Sequence, residues 1–398
     1  MITIEIRKTL NVYYLLCSLF FIFMLRPVIL LNDPRIETAW KYATVLLSIV
    51  SVVVVLIRNI QTSSLKWIIL FCISFIIGTF RNEYGNNISA ISLAAQIMLA
   101  FNLGMIMAQE RDKELLHIIS NWISVAIFAD SILGFMNIPS KLGYRSDYTL
   151  FGYDNYAAYI IFPLLIAKLA LDYYLNHRWG ASDYACIILS ISYKLFTNSI
   201  NAYFFFTLFF LLYLFFEHSD ILIKLFDFRF VAIFSMLAVI GVIQFHIEDY
   251  IAGLLVSLGK TTNLSFRSFF WQKSVNQIPK TPLFGYGVYQ SGFFQKLLGI
   301  RSFIYYSAFT HSHNFFIDLY FFCGIIGSVL YALIVTTSLN GFLLSRRKIG
   351  KSRKIAIVGV AIYYLMGFLD GYASANAIYF LFGLFGLFSK ENLDEEII

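Results

Sequence analysis

Stretches of about twenty apolar residues recur from one end of this chain to the other, and nothing else in the sequence restricts its fold as much. A helix that crosses a hydrocarbon core about 30 Å thick needs roughly 20 such residues. In that medium the backbone must satisfy its own hydrogen bonds, which favours helices. Twelve runs meet the requirement, at about 10–31, 40–57, 66–80, 88–108, 115–136, 156–175, 181–198, 200–216, 230–245, 313–338, 355–373 and 376–389. If the close pair around FTNSINAYF is one broken helix, the count is eleven. Composition agrees. Of 398 residues, 59% are hydrophobic and only 13% charged, with mean hydropathy +0.73, whereas a soluble domain is about a quarter charged. The expected fold class is an all-α polytopic membrane protein of about 12 transmembrane helices.

Arg7 and Lys8 precede the first run as they would in a signal peptide. The run holds Arg26 and Pro27 and lacks a small-residue cleavage site, so it reads as a retained anchor. Cys17, Cys72, Cys186 and Cys323 fall inside apolar runs and read as core thiols. Orientation follows from the basic residues, which concentrate in cytoplasmic loops. The loop SRRKIGKSRK, with Arg346, Arg347, Lys348, Lys351, Arg353 and Lys354, is placed inside. Both termini are then cytoplasmic, and the segment from His246 to Ser312 is extracytoplasmic. The net charge of +7 becomes a signature of topology, and nucleic acid is not an expected partner. Three parts follow: an N-terminal bundle over 1–245, a long extracytoplasmic loop over 246–312, and a C-terminal three-helix segment over 313–398.

That long loop carries Lys260, Arg267, Lys273, Lys280, Lys296 and Arg301. Long loops escape the inside rule, but outward cations also suit an anionic ligand, and lipid diphosphate is the natural one beside a bilayer. The loop ends in THSHNFF, with His311, His313 and Asn314 at the mouth of a helix. Successive helical residues are about 100° apart, so two helical histidines two positions apart would face nearly opposite ways and do different work. With Ser312 as the cap, His313 falls in the first turn, beside unpaired backbone N–H groups. Such an end attracts an anion and works against a positive charge on the ring, which leaves His313 able to accept a proton. The plainer reading is an interfacial histidine with its polar tip in water.

The surrounding segment resembles a known family. SFRSFFWQKSVNQIPKTPLFGYGVYQSGFF is similar to the region of bacterial O-antigen polymerases and O-antigen ligases in which an arginine and a tryptophan precede a proline and a Gly-x-Gly turn, here Arg267, Trp271, Pro282, Gly285 and Gly287. The ligases' histidine signature is matched by His313, Asn314, Gly324 and Gly327, with Ser328 where that pattern prefers Thr or Val. YRSDYTLFGYDNYAAYIIFPLL resembles the family's shorter outer loop through Arg145, Gly152 and Asn155. A Ser-Arg pair of the middle helices corresponds to Ser199, but Ile200 replaces the arginine. The resemblance spans Arg145 to Ser328. It implies a lipid-dependent (GT-C-like) fold and an inverting, metal-independent transfer of glycan from undecaprenyl diphosphate to a sugar hydroxyl at the outer face, without a cofactor. Partners implied with it are the undecaprenyl-diphosphate-linked oligosaccharide, membrane lipid, and a flippase and chain-length regulator.

The residues bear on the metal question independently, since the chain contains no Asp-x-Asp. Arginines are then expected to neutralise the departing diphosphate, because the planar guanidinium binds two oxygens at once. Arg267 comes first and Arg145 second, with Arg301 and Lys273 behind them. His313 is expected as the base, Asn314 and His311 as substrate-side groups, and Trp271 as a binding residue. Tyr286, Tyr289, Phe293 and Phe294 are expected mainly at the headgroup layer. Lys168 and Asp172, spaced i, i+4, are expected to pair; Arg26, Asp130, Lys194, Asp318 and Asp370 are further charges within or beside apolar runs. Asp318, one turn beyond Asn314, is expected to steady that side chain. Two other readings stand beside this one: a flippase or transporter, which needs no base, and a lipid-sugar transferase with its carboxylate at Asp33 or Glu37. Within the family, polymerase is favoured over ligase.

Overall fold

The computed structural model describes residues 2–60, 64–144, 148–196, 200–216, 267–290, 292–300, 311–343, 349–370 and 375–388, with isolated positions between 233 and 256. Helices dominate: α1 (Ile2–Met24), α2 (Pro34–Ile57), α3 (Leu65–Arg81), α4 (Asn87–Glu110), α5 (Lys113–Phe135), the single turn α6 (Ile138–Lys141), α7 (Asp154–Asn176), α8 (Ala181–Phe196), α9 (Ile200–Phe216), α10 (Arg267–Gln277), α11 (Phe293–Leu297), α12 (Phe315–Leu343), α13 (Lys351–Asp370) and α14 (Ala377–Phe388). One two-stranded hairpin, β1 (Tyr148–Thr149) with β2 (Gly152–Tyr153), is antiparallel. Among the described residues, α2, α4, α5, α7 and α12 are long and apolar enough to cross a membrane, and α1, α8, α9 and α14 contain shorter apolar stretches. The protein is an all-α, multi-pass membrane protein. The expected span at 230–245 lies mostly outside the described residues.

Apolar composition and burial part company in a way that locates the core. α4 and α7 are buried along most of their length, while α2 is largely exposed. α4 and α7 therefore stand at the centre and α2 on the rim, where Leu46, Ile49, Val53 and Leu56 face outward. Close approach at the centre depends on small residues. α4 and α14 meet where Gly104 and Gly383 lie face to face, and a methyl added to Gly104 would come within 2.8 Å of the Gly383 Cα.

Polar contacts sort by end of the bundle. At one end Tyr14 donates to Asp112 (2.7 Å), Arg58 pairs with Glu110 (3.3 Å), and Lys168 meets Asp172 (2.7 Å) and Asp183 (3.2 Å). The pair expected from the i, i+4 spacing is thus present, and Asp183 of α8 joins it, with Ser120 of α5 donating to Asp172. At the other end Arg26 pairs with Glu37, which also meets Lys41 (3.1 Å). Asp33 caps α2 by accepting the Arg35 N–H at 2.7 Å. Both carboxylates of the alternative transferase reading are therefore engaged in local structure. The hairpin loop packs on the α1–α2 connection there, with the Ile29 N–H donating to Leu150 (3.4 Å) and the Tyr144 hydroxyl to Val28 (3.2 Å).

Candidate active site

Residues 283–290 run through a gap between α3 and α12, and the gap exists because α12 is broken. Gly324 has φ 64° and ψ −167°, values outside any helix, and the helix kinks there. Such a break frees backbone groups that an apolar setting cannot satisfy. The passing loop takes them up. The Tyr286 N–H donates to the Phe321 carbonyl (2.7 Å), the Gly287 N–H to Phe322 (2.9 Å), and the Ile326 N–H to the Leu283 carbonyl (3.2 Å). Ser328 completes the set by donating its hydroxyl to the Gly324 carbonyl at 2.8 Å, which a valine at that position would not do.

The spacing of glycines in the sequence now has a physical cause. A Cβ on Gly285 would stand 2.5 Å from the Gly324 nitrogen and 2.6 Å from the Phe321 oxygen; one on Gly287 would strike Thr79; one on Gly327 would stand 2.6 Å from the Cys323 sulfur. Gly285 and Gly324, one from each motif, are two sides of one contact, while Gly287 faces Thr79 and Gly327 faces Cys323 and Ser74. The far side of the loop is tied to the α3–α4 connection, where Thr79 accepts the Val288 N–H (2.9 Å), Asn82 donates to the Tyr286 carbonyl (3.0 Å) and the Asn86 N–H donates to Val288 (2.8 Å). The sequence reading does not single out these residues of α3 and the α3–α4 connection. Their signal was the polar turn RNEYGNN in an otherwise apolar chain.

Over this loop lies a small aromatic core. Phe270 and Trp271 of α10, Phe294 and Leu298 by α11, and Ile317 and Phe321 of α12 are buried together, with Tyr286 and Tyr289 packed at its edge. Phe293 stacks on Tyr84 at 5.4 Å, and Lys296 meets both the ring and the hydroxyl of Tyr84. Phe293 and Phe294 therefore hold the loop together and do not lie on a headgroup layer. Burial pushes the Tyr286 and Tyr289 hydroxyls up, so both rings stay uncharged.

The histidines sit where this layer meets α12. The helix starts two residues later than the sequence suggests, because Asn314 and not Ser312 is its cap: the Asn314 Oδ1 accepts the N–H groups of Phe316 (3.1 Å) and Ile317 (3.2 Å). Its Nδ2 donates to the Phe368 carbonyl of α13 at 3.1 Å. Two of the N–H groups expected to draw an anion are thus already taken. His313 precedes the helix in the left-handed region, at φ 57°. Outside a helix the 100° rule does not apply, and His311 and His313 do not face opposite ways; their rings lie 4.1 Å apart, tilted by 42°. Asp318 does not reach the Asn314 side chain as expected. Its Oδ1 accepts the Ser312 N–H at 2.7 Å.

α10 is fastened to this turn through Trp271, fully buried, whose indole N–H donates to the Ser312 carbonyl at 3.0 Å. Arg267 stands one helical turn before Trp271, hence on the same face of α10. Lys273 lies about 200° round the helix from Trp271; it is exposed, with its ammonium 5.7 Å from the Phe269 ring. The fold therefore brings Trp271, His311, His313 and Asn314 to one place, with Arg267 one turn away on the Trp271 face of α10 and Lys273 on another face. Arg145 and Arg301 lie outside the described residues, as do Ser199 and Lys260. Gly152 is in β2 beside Val28, and Asn155 is in the first turn of α7.

One comparison bears on this arrangement. Residues 185–332 match the family described as O-antigen ligase. The matched stretch begins in α8 and ends in α12, so it holds Arg267, Trp271, the histidine turn, the Gly324 break and the loop that fills it. This agrees with the resemblance to O-antigen polymerases and ligases drawn from the motifs. Members of that family are glycosyltransferase-like enzymes that act on lipid-linked oligosaccharide. No curated protein matches the chain.

Proposed function

We propose that the protein is a polysaccharide polymerase. It transfers a growing glycan from undecaprenyl diphosphate to a sugar hydroxyl of a lipid-linked repeat unit, at the outer face of the cytoplasmic membrane. The observation that carries this reading is the Trp271 hydrogen bond that fastens α10, the helix bearing Arg267 on the same face, to the turn of the paired histidines, inside the stretch that matches the O-antigen ligase family. The acceptor oxygen bonds to the anomeric carbon from the face opposite the diphosphate, and the bond from that carbon to the phosphate oxygen breaks with inversion. His313 takes the proton of the attacking hydroxyl. Arg267 holds the departing diphosphate by its two-pronged fork, with Arg145 and Arg301 as further cations. Trp271 serves by holding the turn, since its ring is buried. The bundle follows the lipid-dependent (GT-C-like) plan, with both termini in the cytoplasm.

Transfer to lipid A core is the ligase alternative, and the two differ only in acceptor. Cells lacking the gene distinguish them. Single repeat units on the surface are expected for a polymerase; long chains stranded on the carrier lipid would indicate a ligase. Unchanged surface glycan would contradict both.

A further inference from the structure

We propose that Asp318 is a positioning residue of the transfer site, one that sets the His311 and His313 rings by gripping the backbone between them; the proposal rests on the functional reading above. Ser312 is fully buried, and each of its polar groups is engaged. Its carbonyl accepts the Trp271 indole N–H, its own N–H donates to Asp318, and its hydroxyl donates to the Asn314 carbonyl (3.1 Å) while accepting the Asn314 N–H (3.2 Å). A residue held from α10, from α12 and from the helix cap cannot turn, and its two neighbours in the chain are the histidines.

Of these holds, the one from Asp318 is the least explained by packing. The carboxylate is 7% exposed, one turn inside an apolar helix, where a charged group is costly unless hydrogen-bonded. Its 2.7 Å contact lies at the short end of the range, as contacts to ionised acceptors do. The backbone at His313, at φ 57°, is in the left-handed region, which is uncommon for a non-glycine residue, and it directly follows the Ser312 held by these bonds.

Two substitutions separate position from charge. Asp318→Asn keeps an oxygen where the Ser312 N–H points and removes the charge. Asp318→Glu keeps the charge and carries it one methylene further. Each purified variant is supplied with the undecaprenyl-diphosphate-linked glycan extracted from cells lacking this protein, and turnover and half-saturating concentration are measured with His313→Ala alongside. The Asn variant is expected within about threefold of wild type. The Glu variant is expected to lose on the order of 10²-fold in turnover at unchanged half-saturation, the cost of misplacing a reacting group by about an ångström. The proposal is overturned if Glu is as active as Asn or more so, if both turn over at the wild-type rate, or if the Asn variant fails to insert, since each assigns Asp318 a role other than holding the N–H. A fully active His313→Ala variant would instead overturn the functional reading itself.

Discussion

Trp271 and Lys273 stand two positions apart on one short helix, and the fold gives them opposite treatment. The tryptophan is sealed against the histidine turn, whereas the lysine points to solvent. Residue type alone makes both of them candidate ligand groups; the 200° between them puts them on different faces of the helix. Trp271→Phe removes the donor to the buried Ser312 carbonyl, and an orphaned acceptor costs about 1–3 kcal/mol, so thermal melting in detergent should fall measurably while Lys273→Ala melts as wild type. Arg267 is half-buried and shares the Trp271 face. If it holds diphosphate by a forked contact, Arg267→Lys recovers little of the transfer lost in Arg267→Ala, because an ammonium is a point charge on a flexible stem; full recovery in a glycan-length assay would reduce its role to general electrostatics. The contact between the two imidazoles yields a third expectation. His311→Phe, which keeps a ring against His313, should retain more transfer than His311→Ala, and equal activities would show that the contact is idle.

The spanning helices were legible because a run of twenty apolar residues has few other uses, and the described helices lie close to the expected runs. The break in α12 was not. Hydropathy is blind to φ, and Gly324 lies within an unbroken apolar stretch. The motif glycines were visible as a pattern, but their shared purpose, a loop threaded against a broken helix, requires residues some forty positions apart to be seen together. The cap was misplaced by two residues because Ser312 and Asn314 are equally good cap formers, and the helical angle between the histidines failed with it. Sterics and backbone conformation at the break can be told apart. Gly285→Ala meets the α12 backbone at 2.5–2.7 Å and should prevent stable insertion, whereas Gly292→Ala, at φ 88° with open space around it, should cost only the left-handed penalty of about 1–2 kcal/mol. Gel-filtration profiles and melting of the two variants check this, and a monodisperse, stable Gly285→Ala protein would refute the threaded-loop account.

At the scale of the molecule, the histidine turn, the α3–α4 connection and the hairpin loop share one end, and Arg58, Glu110, Asp112 and Lys168 share the other. In the proposed orientation the second end faces the cytoplasm, as the distribution of basic residues suggests. All four cysteines are buried, so background labelling is low and single introduced thiols report cleanly. A cysteine at Gly292 should react with an impermeant reagent added to intact cells or spheroplasts, and one at Gly350 should not; the reverse would invert the topology and move the site to the wrong face. The central claim is that His313 takes the proton of the attacking hydroxyl. Its most direct test is transfer by purified His313→Ala, after wild-type and variant proteins are shown to melt alike, using lipid-linked glycan extracted from cells lacking the protein. A positioned base contributes on the order of 10²–10⁴ in rate, so the variant should lose at least about 10²-fold in chain extension; extension at the wild-type rate would contradict the account.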